Sequence, residues 1–360
     1  MRKVYQNIIK LILAVSIIAS GFLLNLSVTL SAADTDKMEV HFIDVGQGDA
    51  TLITNGGHSM LIDAGDDTKG TTIQNYLQKQ NIKKLDYLIL THPDADHIGG
   101  APVIITKFDI DKVFMSNYEK DNKTYQKLIQ AMDNKRLKGK TPAVGSQYAL
   151  GTAQITILAP NKTYNNPNDA SIALIIQNGD NKFLFTGDAQ EPAENDILEN
   201  DLAVSADVYH AGHHGSRTST SETFFAAVKP SYAVISCGVG NSYGHPHAQT
   251  LNTFRTNGVK VYRTDEQGSI IAVSDGKEIT WNCTPSETWL AGEATVSSST
   301  VGEVADSSVV TYVCNKNTKK FHKPACSSVN DMSEKNKLEV TLSREEVIAQ
   351  GYVPCKRCKP

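Results

Sequence analysis

Residues 91–100 read THPDADHIGG and follow the apolar run Leu85–Leu90, LDYLIL. The apolar run predicts a buried strand, and at its exit two histidines and two aspartates fall within six residues. Layered α/β chains place ligands in the loops at such strand ends. Imidazoles and carboxylates this close together call for a bound cation, so His92, Asp94, Asp96 and His97 are read as ligands of one or two divalent metals. A solubilising acidic turn is the plainer alternative. Gly99 and Gly100 are expected to let the backbone turn sharply into the next helix.

The pattern recurs along the chain. Asp63 ends SMLIDAG, Asp188 ends FLFTGD, His213 and His214 close ADVYHAGHHGS, and His245 and His247 lie in YGHPH. One polar residue at a strand exit is usually a cap or a turn; several, each beside a glycine or small residue, point to a convergent site. Asp49, inside GQGDA, is expected either to orient a ligand or metal water or to cap a turn.

Around these exits, strands alternate with amphipathic segments from Glu39 to about Cys283. EVHFIDV, SMLIDAG, LDYLILTH, AQITILAP, ADVYHAG, YAVISCG and KVYRTD read as strands. SIALIIQNGDNKFLFTGD reads as a hairpin turning at Asn178-Gly179. Helices are expected near 71–80, 123–134, 193–200, 221–228 and 248–257. The implied architecture is layered α/β, with sheets covered by helices.

The chain has 360 residues, 40% hydrophobic and 21% charged, which excludes collagen-like and wholly disordered classes. Arg2, Lys3 and Lys10 precede an apolar stretch, 11–30, that ends at the small residues Ser31-Ala32-Ala33. Residues 1–33 therefore read as a signal peptide, with an uncleaved anchor as the alternative. The mature protein is expected to be secreted or at the cell surface, without stable membrane insertion once the signal is removed. Residues 34–284 form the body, 285–311 a Ser/Thr-rich linker and 312–360 a small tail module. From Cys314 onward ten lysines and arginines face five acids, whereas residues 34–313 carry a net −12. An acidic body with a basic tail implies modules with different partners.

THPDADHIGG, FTGD and HHGS together resemble the metallo-β-lactamase-fold hydrolases. FIDVGQGDATLI (Phe42–Ile53), GHHGSRTSTS, YGHPH and an aspartate at the second histidine position of the general HxHxDH pattern resemble the hydrolase domain of the ComEC family of competence DNA-uptake proteins. The resemblance covers roughly residues 38–280 and lacks that family's membrane channel. It implies an αββα sandwich with the metal site at one edge between the sheets. By this resemblance His92 and Asp94 would hold one metal, Asp96 and His97 the second, and Asp188 would bridge them. His213 would be a further ligand, with His214, His245 or His247 as alternatives or acid–base groups. Asp96, His214 and His245 are thus the candidate catalytic groups, and Asp49, Asp63, Asp169, Ser216 and His247 candidate supports of the ligands. The family's third-motif histidine is absent around NPNDASIALI, where only Asn168, Asp169 and Ser171 could substitute.

A divalent metal lowers the pKa of a coordinated water from ~15.7 to about 7, and a metal pair can clamp both oxygens of a displacement at phosphorus. Aspartate in place of an imidazole ligand favours Mn²⁺ or Mg²⁺ over the Zn²⁺ of an all-imidazole site.

In the tail His322 and Cys326 are four apart and Cys355 and Cys358 form a CxxC. That spacing suits one structural Zn²⁺, with SREEVIAQ as a helix between the pairs. Disulfides, with Cys314, Cys237 or Cys283 as partners, are the alternative in an exported protein. GYVPCKRCKP resembles the Ada zinc-binding domain, with His322 where that domain has its reactive cysteine, so zinc binding and not methyl transfer is implied. The tail's lysines and Arg357 could grip phosphates.

These observations point to an exported metal-dependent hydrolase, a phosphodiesterase or nuclease acting on DNA or nucleotides. A hydrolase of a small ester, lactone or lactam is the alternative, as is a non-catalytic DNA- or wall-binding protein. The acidic body weighs against nucleic acid.

Overall fold

The computed structural model describes residues 37–292 and, beyond them, 310–324, 326–330, 332–342, 347, 352–355 and 357–358. The expected signal peptide and most of the expected linker lie outside the described residues. The chain divides into two compact units, one ending near Thr295 and the other formed by the tail.

In the larger unit, β1 (Met38–Phe42), β2 (Thr51–Asn55), β3 (His58–Ile62), β4 (Lys84–Leu90), β5 (Asp109–Met115) and β6 (Gly139–Lys140) join β14 (Ile270–Ser274) and β15 (Ile279–Trp281). They form an eight-stranded sheet in the order β15-β14-β1-β2-β3-β4-β5-β6. A second sheet holds β7 (Gln147–Leu150), β8 (Ala153–Ala159), β9 (Ala173–Asn178), β10 (Asn181–Phe185), β11 (Val208–His210), β12 (Tyr232–Ile235) and β13 (Lys260–Arg263). Its order is β13-β12-β11-β10-β9-β8-β7.

Strand alternation sorts the side chains into layers. Val40, Phe42 and Ile53 from the first sheet meet Leu174, Ile176, Phe183 and Phe185 from the second, forming one core between the sheets. The intervening residues Leu52, Leu61 and Leu88 face the other way, under helices α1 (Gly70–Lys79), α3 (Ala101–Lys107) and α4 (Lys123–Lys135). Leu184, Tyr209 and Ala233 likewise face α5 (Glu191–Leu198), α6 (Glu222–Val228) and α7 (Ala248–Thr256). Because both faces of the central strands are covered, they read as continuous apolar runs. The αββα sandwich implied by the resemblance is thus the fold. Asn122 and Ser221 cap α4 and α6, each accepting a hydrogen bond from the backbone N–H three residues on.

Parallel pairing positions the site. β3, β4, β5 and β6 run parallel in the first sheet, and β10, β11, β12 and β13 in the second. Parallel neighbours end on the same edge, so the exits of β3, β4, β10, β11 and β12 gather along one side of the sandwich.

Gly99 and Gly100 are not turn glycines. Their φ values of −61° and −80° are open to any residue. A Cβ on Gly100 would lie 2.1 Å from the Ala64 carbonyl oxygen, and one on Gly99 2.3 Å from the Asp67 nitrogen. Close backbone approach between the His92 loop and the Asp63 loop, not φ, excludes a side chain there.

Residues 285–292, expected as linker, pack on the body: Ser286 N–H donates to the Val261 carbonyl at 2.7 Å, and Gly292 N–H to that of Pro246 at 2.9 Å. Among the described residues no helix is long and apolar enough to cross a membrane.

The tail unit is a four-stranded sheet of β16 (Val310–Asn315), β17 (Lys320–His322), β18 (Lys337–Leu342) and β19 (Val353–Pro354), in the order β18-β16-β17-β19. Of the expected SREEVIAQ helix only Val347 is described.

Candidate metal centres

The segment after β4 carries His92, then Asp94 as the N-cap of the short helix α2 (Ala95–Ile98), which presents Asp96 and His97. His92 and His97 are fully buried, their ring centroids 4.1 Å apart. His97 Nδ1 lies 2.8 Å from Asp63 Oδ2, and its Nε2 lies 3.2 Å from Asp188 Oδ1. Asp63 is held in turn by the Thr91 amide at 2.8 Å and the Thr91 hydroxyl at 2.6 Å. A carboxylate on one imidazole nitrogen fixes the tautomer and aims the other nitrogen into the centre.

The second sheet supplies the opposite wall. Asp188 follows β10, its amide donating to Ser171 Oγ at 3.1 Å. Its Oδ2 lies 3.5 Å from His213 Nε2, 3.7 Å from His92 Nε2 and 3.8 Å from His214 Nε2. His213 and His214 occupy a single 3-10 turn after β11 in left-handed backbone, φ 52° and 57°. Two successive side-chain-bearing residues there cost on the order of 1–3 kcal/mol each, strain characteristic of functional sites. His214 Nδ1 lies 3.0 Å from the Ser236 carbonyl, which directs its Nε2 to within 3.3 Å of Asp96 Oδ2. Asp49 completes this wall, with Oδ1 3.4 Å from His210 Nε2 and 3.7 Å from His214 Nδ1.

One ligand atom from each of Asp49, His97, Asp188 and His214 lies within 4.8 Å of the others. His92 Nε2, His97 Nε2, His214 Nε2, Asp49 Oδ1 and Asp188 Oδ1 are buried without a hydrogen-bond partner among the described residues. Buried polar atoms without hydrogen bonds are costly, and one cation would satisfy several of these at once. The residues fit a divalent metal.

Electrostatics agree. Burial opposes charge on Asp188, but His97, His214 and His92 outweigh it and hold its carboxyl well below the usual range. Burial likewise opposes charge on Asp49, yet His210 and His214 bring it down to about 2. Burial disfavours the imidazolium forms of His97 and His214, but Asp188, with Asp63 or Asp49, lifts both well above the ordinary histidine value. His92 is pushed down to about 4, first by burial and then by His97. His245 falls to about 3, by burial and then by His214 and His213.

The structure thus brings His92, Asp96, His97, Asp188, His213 and His214 to one centre. It places His214, read from sequence as an alternative ligand or an acid–base group, among the four convergent donors, together with Asp49. His245 flanks them, its ring centroid 5.3 Å from that of His213 and 5.9 Å from that of His214. The remaining candidates hold loops. His247 Nδ1 accepts from the Arg217 amide at 3.0 Å, Asp169 accepts from the Gln190 amide at 3.1 Å, and Ser216 Oγ accepts from the Thr218 amide at 3.3 Å. Asp94 faces Lys120, Nζ to Oδ1 2.6 Å. Sequence reasoning missed His210, Ser236 and Lys120. His210 was legible as a histidine ending the ADVYH strand, but it carried no spacing signal.

Residues 43–239 match the family model described as the Metallo-beta-lactamase superfamily. The chain belongs to this superfamily. Residues 304–360 match the metal binding domain of Ada. The superfamily member described here is 30% identical over 253 residues to ComE operon protein 3 of Bacillus subtilis, covering 64% of this chain and 32% of that protein. It is 30% identical over 238 residues to Recombination protein 2 of Haemophilus influenzae, covering 64% and 28%. The chain therefore spans about a third of the length of these curated relatives. Among solved structures it is similar to the metallo-beta-lactamase fold protein YhfI of Bacillus subtilis, at 14% identity and TM-score 0.46, covering 66% of this chain and 100% of that one.

In the tail, ligand atoms of His322, Cys326, Cys355 and Cys358 lie within 4.8 Å of one another. All six cysteines are unbridged, and Cys314 sits apart from the cluster, packed with Tyr312 and Phe321. Hydrogen bonds from the backbone, first at Cys358 and then at Arg357, lower the Cys355 thiol and favour the thiolate that binds metal. His322 Nδ1 is a further buried nitrogen without a partner among the described residues. Three sulfurs and one imidazole are a structural zinc ligand set. Lys316, Lys319, Lys320, Lys323 and Arg357 of the same unit are exposed.

Proposed function

We propose that this chain is an exported metal-dependent phosphodiesterase or nuclease acting on DNA or nucleotides. The observation that carries the reading is the donor set of Asp49, His97, Asp188 and His214 with Asp96 beside them, rich in carboxylate and buried at the mouth of an αββα sandwich. A divalent metal held there supplies a Lewis acid that activates water near neutral pH and draws negative phosphoryl oxygens.

The chain's own residues do the rest. Asp63 locks His97, the Ser236 carbonyl locks His214, and Asp188 faces four imidazoles across the centre. His245, neutral at physiological pH and with Nδ1 free of a partner among the described residues, flanks the centre as a proton acceptor. Hydrolysis of bis-p-nitrophenyl phosphate, single- and double-stranded DNA and nitrocefin by the purified protein, with Mn²⁺, Mg²⁺ and Zn²⁺ in parallel, tests the proposal. Cleavage of nitrocefin but of no phosphodiester overturns it.

A further inference from the structure

Asp94 occupies a family ligand position, yet its carboxylate is engaged elsewhere. Lys120 Nζ lies 2.6 Å from Asp94 Oδ1, and each side chain is 31% exposed. The lysine is held in place from both sides. Upstream, Ser116 Oγ donates to the Ala170 carbonyl at 2.7 Å and Tyr118 Oη to that of Asn165 at 3.3 Å; downstream, Asn122 caps α4.

A metal bound by the same Asp94 oxygen at about 2.1 Å would stand within about 5 Å of this ammonium, so two cations would share one carboxylate oxygen and repel strongly. The residues of the third-motif loop are also committed, Asp169 to the Gln190 amide and Ser171 to the Asp188 amide. An ammonium has three N–H donors, and Asp94 accepts one of them. The remaining two, on a third-exposed side chain one loop away from His92, are available to an anion.

We propose that Lys120 is an anion-binding residue at the rim of the metal centre, and that Asp94 is the positioning residue that holds it and not a metal ligand. The inference deepens the phosphodiester reading and rests on it for the identity of the anion, a phosphate group of the substrate.

The test uses the full chain loaded with Mn²⁺ and desalted. Metal per chain is counted by elemental mass spectrometry, and binding of inorganic phosphate is measured by calorimetry. Asp94→Asn is expected to retain the wild-type metal count, whereas Asp188→Asn loses metal. Lys120→Met is expected to weaken phosphate binding about tenfold, Asp94→Asn to weaken it less, and Lys120→Arg to restore it. Loss of metal from Asp94→Asn, or phosphate bound by Lys120→Met as tightly as by wild type, overturns the proposal. Both readouts are independent of turnover, so a protein that cleaves no phosphodiester can still pass this test while the functional reading fails.

Discussion

Asp63 and His97 meet at 2.8 Å inside the sandwich, both almost fully buried, and this contact ties the exit of β3 to the ligand helix after β4. Asp63 sits in left-handed backbone at φ 57°, so the chain accepts strain to make the contact. Asp63→Ala should lower metal affinity by about 10–100-fold, the usual effect of losing an imidazole's carboxylate partner. Chelator competition measures it; unchanged affinity would show that His97 is aimed by packing alone.

His92→Ala or Asp188→Ala should abolish hydrolysis and reduce bound metal without unfolding the domain. These side chains face the centre and not the apolar layers. Thermal unfolding and metal analysis of the variants check the claim, and retained activity in Asp188→Ala would overturn the bridging role that the resemblance implies.

The carboxylate-rich donor set predicts greater phosphodiester hydrolysis with Mn²⁺ than with Zn²⁺. Chelated protein restored by Zn²⁺ alone would contradict this.

Metal binding should release protons. Burial disfavours the imidazolium forms of His97 and His214, but Asp188 with Asp63 or Asp49 lifts both well above the ordinary histidine value in the metal-free protein, and a ligating imidazole must give up that proton to a cation. Affinity should therefore fall as pH falls. In the metal-free fold the stability contributed by the buried carboxylates of lowered pKa is likewise lost as pH falls. The stability contributed by the depressed Asp49 is present above about pH 4, the unfolded value, and is lost as pH falls through its folded value of about 2. Calorimetry in buffers of different ionisation enthalpy counts the protons, and uptake or no exchange would refute the assignment.

The tail, isolated from about residue 309 to 360, should fold only with zinc, because binding energy is folding energy in so small a module. Intact mass should show four free thiols with one zinc; two disulfides without metal would refute this. If the tail grips nucleic acid, its removal should raise KM for long DNA, an effect that fades with salt, while sparing a small phosphodiester.

Much of this was legible because apolar runs mark strands covered on both faces, and because the ligands cluster in THPDADHIGG, FTGD and HHGS at strand exits. What escaped has physical causes. Strand β5, DIDKVFM, begins with charged, exposed residues that mask its period. Which of His213 and His214 points inward depends on two left-handed dihedrals, which spacing does not encode. Lys120 reaches Asp94 across 26 residues through a loop of ordinary composition.

Residues 285–292 close the larger unit like a clasp. Arg263 Nη1 donates to the Leu290 carbonyl at 2.5 Å, while Glu266 accepts from Ser286 and Thr288. At its end, Gly292 lies so near the loop carrying His245 that a Cβ there would come 2.1 Å from the His245 carbonyl oxygen. Trimming by a protease before Gly292 would therefore leave every donor of the larger unit's centre in place yet slacken the loop beside them. The smallest fragment that keeps the reaction centre taut ends after the apparent boundary at Thr284, not at it.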